Sequence, residues 1–246
     1  MRTLVHDGRR LAFHAMRGLD PGVVFLGGLR SDMGGTKAMA LEEWCREEGR
    51  AFLRLDYSGH GASEGAFEEG TVGAWLGDAL AVIETTMDGP QVIVGSSLGG
   101  WLALLIARDR PDLAAGLVTV AAAPDVTEDG FWAGFDAGQR AALEEVGRVE
   151  VPSEYGEPYV VTRRLIEEGR DRLVLRSPLR LLGVPVRMLQ GTADAAVPVA
   201  TALRLLGHLE AEDSRLTLLR GEDHRFSSPE ALGLMLREVA DVLSRV

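Results

Sequence analysis

Residues 91–101 read QVIVGSSLGGW, and this short stretch decides the fold. It begins as an apolar run typical of a strand buried on both faces, and from Leu98 it continues as a helical pattern. Between the two lies Gly95-Ser96-Ser97-Leu98-Gly99, which matches the G-x-S-x-G pattern of a sharp strand-to-helix turn. The flanking glycines remove Cβ atoms that would collide in so tight a turn. The pattern predicts Ser97, and not Ser96, as a nucleophile, while a glycine-rich turn without chemistry is the alternative interpretation.

Similar apolar runs recur along the chain and alternate with helical patterns. This alternation predicts an α/β protein with a mostly parallel, doubly wound sheet, and Asp7-Gly8 predicts a hairpin turn near its start. The predicted strands are residues 4–5, 11–16, 23–26, 51–55, 91–94, 117–121, 186–190 and 216–219. The predicted helices are residues 36–48, 71–87, 98–108, 199–209 and 229–244.

One connection, between the predicted strands 117–121 and 186–190, is much longer than the others. It contains helical stretches at 137–149 and 162–168 and the aromatic residues Phe131, Trp132 and Phe135. We expect residues 124–180, approximately, to form a helical cap insertion over the carboxyl edge of the sheet. No linker or internal repeat divides the chain, so residues 1–246 are predicted to form a single domain.

A serine hydroxyl needs a base to become a nucleophile, and in this fold the chain order is serine, then acid, then histidine. Of five histidines, only His224 follows the last predicted strand, in a polar loop before the final helix. Asp194 follows the penultimate strand, in the stretch GTADAAVP. We therefore predict that Asp194 accepts the Nδ1 proton of His224, with Asp223 as the alternative acid.

Backbone amides are the predicted donors to a developing oxyanion. The Leu98 N–H lies at a helix N-terminus, which favours negative charge, and the Leu29 N–H or a neighbouring amide follows the strand 23–26 in GGLRSD. Other residues near these loops are candidates for lining a substrate site, although His60 and Trp132 also suit purely structural roles. The candidate substrate-binding residues are Gly28, Arg30, His60 and Trp132.

Composition excludes several classes of partner. The chain has 26 Lys plus Arg against 37 Asp plus Glu, a net charge of −11, which repels nucleic acid and anionic lipid surfaces. No apolar run predicts stable membrane insertion, and the first 18 residues lack the apolar segment of a secretory signal. The single cysteine, Cys45, suits a reducing compartment. We expect a cytoplasmic protein; the sequence does not indicate its oligomeric state.

Four runs carry a resemblance that spans the predicted sheet. GGTKAMALEEWC, RLDYSGHGASEG, VGSSLGGW and GEDHRF resemble the α/β-hydrolase superfamily, and within it the alpha/beta-hydrolase domain-containing 10 group. That group comprises mitochondrial palmitoyl-protein thioesterases also described as acyl-glucuronide esterases. The resemblance implies the α/β-hydrolase fold and hydrolysis of acyl thioesters or esters, with Ser97, Asp194 and His224 as catalytic residues. It also implies that no metal and no organic cofactor is used.

The sequence departs from this group in two places. It has Gly27-Gly28 where the group has Pro-Gly, and its N-terminus lacks a mitochondrial presequence. The cap is also poorly matched, so the acyl group stays open: the substrate is a small acyl ester or thioester, or an acylated protein. The alternatives are a general carboxylesterase acting on small esters or acyl-glucuronides, and a non-catalytic interaction protein on a hydrolase scaffold. Other chemistry on this fold, such as C–C bond hydrolysis, is a further alternative.

Overall fold

The computed structural model describes residues 1–152 and 158–246 of the chain. Its strands are β1 Arg2–His6, β2 Arg9–Met16, β3 Leu19–Leu26, β4 Arg50–Leu55, β5 Gln91–Ser96, β6 Ala114–Val120, β7 Arg148–Val151, β8 Tyr159–Thr162, β9 Leu179–Arg180, β10 Val186–Gly191, β11 Leu209–Glu210 and β12 Ser214–Leu219. Its α-helices are α1 Thr36–Glu47, α2 Val72–Thr86, α3 Leu98–Asp109, α4 Ala137–Glu145, α5 Arg163–Arg170, α6 Val199–His208 and α7 Pro229–Leu243.

Eight of these strands form one sheet, in the order β1-β2-β4-β3-β5-β6-β10-β12. β2 runs antiparallel to both of its neighbours, β1 and β4, and the other five pairings of this sheet are parallel. The predicted mostly parallel α/β sheet is therefore confirmed. Because parallel strands end at the same edge, the loops after β3, β5, β10 and β12 come together there, where ligands of such sheets bind.

The sheet is buried on both faces, as its continuous apolar strands predict. Successive residues of β3 alternate between two cores: Val23 and Phe25 pack on one face with α1 and α7, whereas Val24 and Leu26 pack on the other with α2 and α3. All four side chains are at least nine-tenths buried. The two layers of helices hold the central strands, and so the ends of those strands, in fixed positions.

The predicted hairpin at the start of the chain is present. Asp7 and Gly8 have positive φ values of 47° and 75°, the conformation of a two-residue turn that matches the twist of its strands. β3 begins four residues before the predicted start at Val23, because Leu19 pairs with Arg50 beyond the apolar run that marks the strand in the sequence.

The segment between β6 and β10 contains the π-helical turn Val126–Trp132, α4, the β7–β8 hairpin and α5. The helix predicted over residues 137–149 ends at Glu145, because Gly147 turns the chain with a φ of 81° and leads it into β7. Val149 of β7 then pairs with Val161 of β8. The predicted cap insertion also includes residues 153–157, which lie outside the described residues.

Candidate active site

Ser97 occupies the turn between β5 and α3 in a strained conformation, with φ 55° and ψ −118°. The turn exists only because both neighbouring glycines lack side chains. A Cβ atom on Gly99 would lie 2.1 Å from the Leu26 carbonyl oxygen, and one on Gly95 would lie 2.2 Å from the Gly99 oxygen. Contacts this short with backbone cannot be relieved by a side-chain rotation. The packing therefore holds a costly backbone conformation that places Ser97 at the carboxyl edge of the sheet.

His224 lies in the loop between β12 and α7 and reaches Ser97 from the side of the last strand. Its Nε2 is 3.1 Å from Ser97 Oγ, and its Nδ1 is 2.8 Å from Asp194 Oδ2. A carboxylate at Nδ1 fixes the tautomer in which Nδ1 carries the proton and Nε2 is free to accept one. The structure thus brings together the three residues that the chain order predicts, in one hydrogen-bonded series.

Asp194 is held as an anion by the loop that follows β10. Its Oδ1 accepts hydrogen bonds from the backbone N–H groups of Ala196 and Val197 at 2.9 and 2.8 Å. Burial raises the pKa of this carboxyl, but the hydrogen bonds from His224, Val197 and Gln190 outweigh burial and hold the pKa below its ordinary value. The alternative acid, Asp223, is exposed and accepts a hydrogen bond from the Arg225 N–H at 2.9 Å.

Gln190 is a positioning residue that the sequence motifs do not include. Its side chain is fully buried at the end of β10, and its Nε2 donates to Asp194 Oδ2 at 2.9 Å and to the Val197 carbonyl at 3.0 Å. The amide thereby shares the oxygen that faces His224. A polar residue near the end of a predicted buried strand, four residues before the acid, is the signal that could have found it.

The two predicted oxyanion donors lie on either side of Ser97. Leu98 is the first residue of α3, and Leu29 follows β3; both line a cavity that also contacts Ser97 and His224. Within residues 1–152 and 158–246, neither the Leu98 nor the Leu29 N–H has an assigned hydrogen-bond acceptor. Gly28 lies directly against the serine, since a Cβ atom there would be 3.2 Å from Ser97 Cβ. Both residues therefore line the space beside Ser97.

Two cavities of different character meet at Ser97. The larger, about 540 Å³, has polar and cationic walls, and the smaller, about 290 Å³, has mainly apolar walls. The polar cavity is lined by Gly28, Leu29, Arg30, Ser31, Thr36, Lys37, Ser96, Ser97, Tyr159, His224, Arg225 and Ser227. The apolar cavity is lined by Leu29, Val72, Trp75, Ser97, Leu98, Ala123, Val126, Thr127, Phe131, Val151, Pro152, Tyr159, Leu165, Ala195, Ala196, Val197 and His224. The same serine and histidine therefore face both spaces.

Lys37, the only lysine of the chain, makes the polar cavity unusual. Burial lowers the pKa of its ammonium group to about 8, although the nearby carboxylates Asp223 and Glu222 raise it. Its Nζ donates a hydrogen bond to the Arg225 carbonyl, next to His224. The residue therefore links the start of α1 to the histidine loop and adds a titratable positive charge to the cavity.

The remaining candidate residues fall into two groups. Arg30 lines the polar cavity and donates a hydrogen bond to the Pro158 carbonyl at 2.7 Å. His60 and Trp132 line neither cavity: His60 packs edge-on against aromatic rings including Trp75, and Trp132 packs against Phe135. Of these three residues, only Arg30 lines a cavity that also contacts Ser97.

Comparison with known proteins places the chain among hydrolases. The family described as serine aminopeptidase, S33 (Hydrolase_4) matches residues 20–155. The human palmitoyl-protein thioesterase ABHD10, mitochondrial, is 36% identical over 98% of this chain and 78% of its own length.

Two solved structures have the same fold over almost their entire length. A putative hydrolase from Agrobacterium vitis S4 is 39% identical, with a TM-score of 0.93, over 98% of this chain and 97% of its own. Alpha/beta hydrolase domain-containing protein 10 from mouse is 33% identical, with a TM-score of 0.91, over 99% of this chain and 98% of its own.

These relatives correct the predicted location. The human relative is named as mitochondrial, as are two further mammalian relatives at the same identity. They point to a mitochondrial rather than a cytoplasmic location, so the cytoplasmic prediction is wrong. It rested on the first 18 residues, interpreted as neither a secretory signal nor a transit peptide, and on a lone cysteine, which does not distinguish one disulfide-poor compartment from another. Separately, the described part of the chain has no helix that combines the length and apolar character needed to cross a bilayer.

The glycine-flanked turn at Ser97, the mostly parallel sheet and the identity to ABHD10 over nearly the whole chain lead to the same conclusion. The chain belongs to the α/β-hydrolase superfamily of serine hydrolases, in the same family as the ABHD10 thioesterases.

Proposed function

We propose that the chain hydrolyses acyl thioesters or esters through an acyl-enzyme intermediate on Ser97. The observation that carries this proposal is the hydrogen-bonded series from Ser97 Oγ through His224 to Asp194, which opens onto two cavities. A nucleophile, a base and an orienting acid within hydrogen-bonding distance are the parts that acyl transfer needs.

The proposed reaction has two halves. His224 Nε2 takes the proton from Ser97 Oγ as that oxygen attacks the acyl carbon, and the Leu98 and Leu29 N–H groups stabilise the tetrahedral oxyanion. Collapse of this intermediate breaks the bond to the leaving group, which departs with the proton from His224. A water molecule then gives a proton to His224 as its oxygen attacks the acyl-enzyme, and collapse of this second intermediate releases the acid while His224 returns the proton to Ser97 Oγ. Asp194 stabilises the imidazolium in both halves.

The two cavities suggest where the two parts of a substrate bind. The apolar cavity suits the acyl chain, because burying hydrocarbon is favourable, and the polar cavity suits the leaving group. The name palmitoyl-protein thioesterase, borne by the relatives, supports a thioester as the scissile bond. We therefore place acyl thioesters first among the substrates and include acylated proteins among the partners.

A second candidate substrate class is favoured by the charges of the polar cavity. Arg30, Lys37 and Arg225 all line it, although the chain as a whole carries a net charge of −11. Local positive charge in an acidic protein favours an anionic leaving group. Small esters with a carboxylate on the alcohol side, of which acyl-glucuronides are one kind, have this chemistry.

A fluorophosphonate probe tests the proposal, because it labels only an activated serine. We expect labelling of the wild-type chain and its loss in Ser97→Ala. Ser96→Ala is the matched control, since it removes the adjacent hydroxyl and keeps Ser97. Turnover of acyl thioesters and of oxygen esters by the same samples compares the two substrate classes. Ser97→Ala should lose activity by at least about 10⁴-fold, because the nucleophile acts as a unit with its base.

Each unexpected outcome has a distinct meaning. Equal labelling of the wild type and Ser97→Ala would move the nucleophile to another serine, with Ser96 first. Failure to label the wild type, beside a control hydrolase that labels, would favour a non-catalytic interaction protein on this scaffold.

A further inference from the structure

The Ser96 hydroxyl is a buried polar group that the proposed reaction does not use. Ser96 ends β5 and is only 6% exposed, and within residues 1–152 and 158–246 its Oγ has no assigned hydrogen-bond partner. Such groups are rare, because a buried hydroxyl without a partner loses the hydrogen bonds that it makes in water. The side chain therefore indicates a partner that comes from outside the described chain.

The direction of this side chain follows from the alternation of residues along β5. Val92 and Val94 pack in the core that also contains residues of α1 and α7. Because side chains two residues apart on a strand lie on the same face, the Ser96 side chain points toward α1. Ser96 lines both the polar cavity and a smaller recess beside it. The residues shared by the two spaces are Gly28, Ser31, Thr36, Lys37 and Ser96.

The first turn of α1 lines the same recess. α1 begins at Thr36, its N-cap Gly35 has no side chain to accept a hydrogen bond, and the first turn contains no acidic residue. The Thr36 and Lys37 N–H groups have no assigned acceptor in the part of the chain that the structure describes. Unpaired N–H groups and the helix dipole both favour an anion at this end of a helix.

Lys37 adds a full positive charge to the recess. Its Nζ donates one hydrogen bond to the Arg225 carbonyl, and since an ammonium group has three donors, two remain for a ligand within the described residues. Asp32 also lines the recess, but its Oδ1 accepts the Gly34 N–H at 2.7 Å within its own loop. The recess therefore combines a cation, backbone N–H groups and a buried hydroxyl, in a chain whose net charge is −11.

From this arrangement we infer that the recess binds an oxyanion, a carboxylate or a phosphate, carried on the leaving group of the substrate. Its donors are the Ser96 hydroxyl, the N–H groups at the start of α1 and the Lys37 ammonium group. Ser96 precedes Ser97, and consecutive Cα atoms lie about 3.8 Å apart, so the anion lies a few bonds from the scissile acyl bond. This inference rests on the proposed acyl transfer at Ser97 and adds to it the residues that recognise the leaving group.

A matched pair of thioesters tests the inference. Both carry a hexanoyl group, but one releases 3-mercaptobenzoate and the other releases its neutral isostere, 3-mercaptobenzamide. Each kcat/KM is divided by the rate constant for hydroxide hydrolysis of the same thioester, which removes differences in intrinsic reactivity. At pH 7, below the Lys37 pKa of about 8, we expect the carboxylate to be favoured by about tenfold. Equal corrected values in the wild type overturn the inference.

Substitutions at the recess test which residues hold the anion. Thr36→Asp places a fixed carboxylate at the start of α1 and should abolish the preference, whereas the neutral isostere Thr36→Asn should retain most of it. Ser96→Ala should lower the preference by at least about threefold, because it removes a hydrogen bond to a charged group. Ser244→Ala, at the exposed end of α7 and outside both spaces, is the matched control and should leave the preference unchanged. Equal preferences in Thr36→Asp and Thr36→Asn would overturn the inference.

Failure of this inference and failure of the proposed acyl transfer give different results. Fluorophosphonate labelling does not need the anion, so it reports in every variant whether Ser97 is still reactive. If the wild type neither labels nor hydrolyses either thioester, the proposed acyl transfer is wrong. If it labels and hydrolyses both thioesters at equal corrected rates, only the inferred anion site is wrong. Competition by inorganic phosphate together with equal corrected rates would show that the recess binds a free anion and not the leaving group.

Discussion

Two regions meet at Ser97, and they are encoded in different ways. The loops at the carboxyl edge of the sheet supply Ser97, Asp194 and His224, each within a short stretch that follows a strand. The segment between β6 and β10 supplies much of the apolar wall, including Phe131 and Leu165. The first region is fixed by local turns on a rigid sheet, whereas the second is fixed by contacts between segments far apart in sequence. The catalytic residues can therefore be predicted from short motifs, whereas the shape of the apolar cavity depends on long-range packing.

Asp194→Asn should have the largest effect at the sheet edge. The backbone N–H groups of Ala196 and Val197 require an oxygen, so an asparagine would turn its NH₂ group toward His224. The histidine would then carry its proton on Nε2, where it cannot accept one from Ser97. We expect kcat to fall by about 10⁴-fold with the fold intact, as measured by ester turnover and circular dichroism.

The acid's role also sets a pH dependence of stability. The folded-state pKa of Asp194 lies below its ordinary value, so its carboxylate stabilises the fold above the unfolded pKa, and this contribution is lost as pH falls through the folded pKa. The stability difference between wild type and Asp194→Asn should shrink on acidification. A difference that stays constant down to the acid transition would contradict this account of the carboxylate.

Gly99→Ala should damage the same region through geometry alone. The added Cβ would meet the carbonyl oxygens of Leu26 and Gly27 at 2.1 and 2.6 Å, so the start of α3 must move. A displacement of about 1 Å at the nucleophile costs about 100-fold in rate. Gly207→Ala, in α6, where an added Cβ would meet no atom within 4 Å, is the matched control and should keep full activity. Wild-type rates in Gly99→Ala would show that the turn tolerates a side chain.

These contrasts explain which parts the sequence predicts. The turn at Ser97 and the positions of Asp194 and His224 follow from apolar strands and the residues directly after them. The contact between Lys37 and the Arg225 carbonyl joins residues 188 positions apart, and no local pattern marks it. The β7–β8 hairpin is similar, because Val149 becomes a strand residue only when its partner Val161 is in place. Such pairings depend on the folded chain as a whole.

Asp125→Ala should destabilise the segment between β6 and β10 and leave the catalytic residues at the edge of the sheet in place. Asp125 is buried with a φ of 58°, and its carboxylate accepts the Val174 and Leu175 N–H groups at 2.7 and 3.0 Å. Leaving those amides unpaired should cost about 2–4 kcal/mol of the free energy of unfolding, measured by urea titration. Short-ester turnover at temperatures where the variant is folded should change by only a few fold. Asp112→Ala, at an exposed ion pair, is the control and should have little effect on stability.

An equal loss of short-ester turnover and of stability in Asp125→Ala would show that the two regions are not separable. In that case the segment between β6 and β10 would also position Ser97. The contrast between the catalytic loops, which are fixed by local turns, and this segment, which is fixed by long-range contacts, would no longer hold.

The smallest expected effect concerns Lys37. Its ammonium group lines the polar cavity beside Ser97, and burial by residues far away in the sequence lowers its pKa. Below its pKa of about 8 the ammonium group is charged, and above that pH it becomes neutral. For esters with a carboxylate on the leaving group, kcat/KM should fall by about two- to fivefold on passing through this pH, a range typical of a partly exposed charge pair. Esters with a neutral leaving group should lack the additional fall, and Lys37→Arg should remove it because arginine stays charged.

The pKa itself is measurable, because Lys37 is the only lysine of the chain. Reductive methylation with ¹³C-formaldehyde labels only this side chain and the N-terminal amine, so NMR follows the titration directly. Burial should place the pKa near 8, and Asp223→Asn should lower it further, because that carboxylate favours the charged form. A titration at the ordinary value for an exposed lysine would mean that Lys37 does not enter the polar cavity. The loss at alkaline pH would then have to arise from another group.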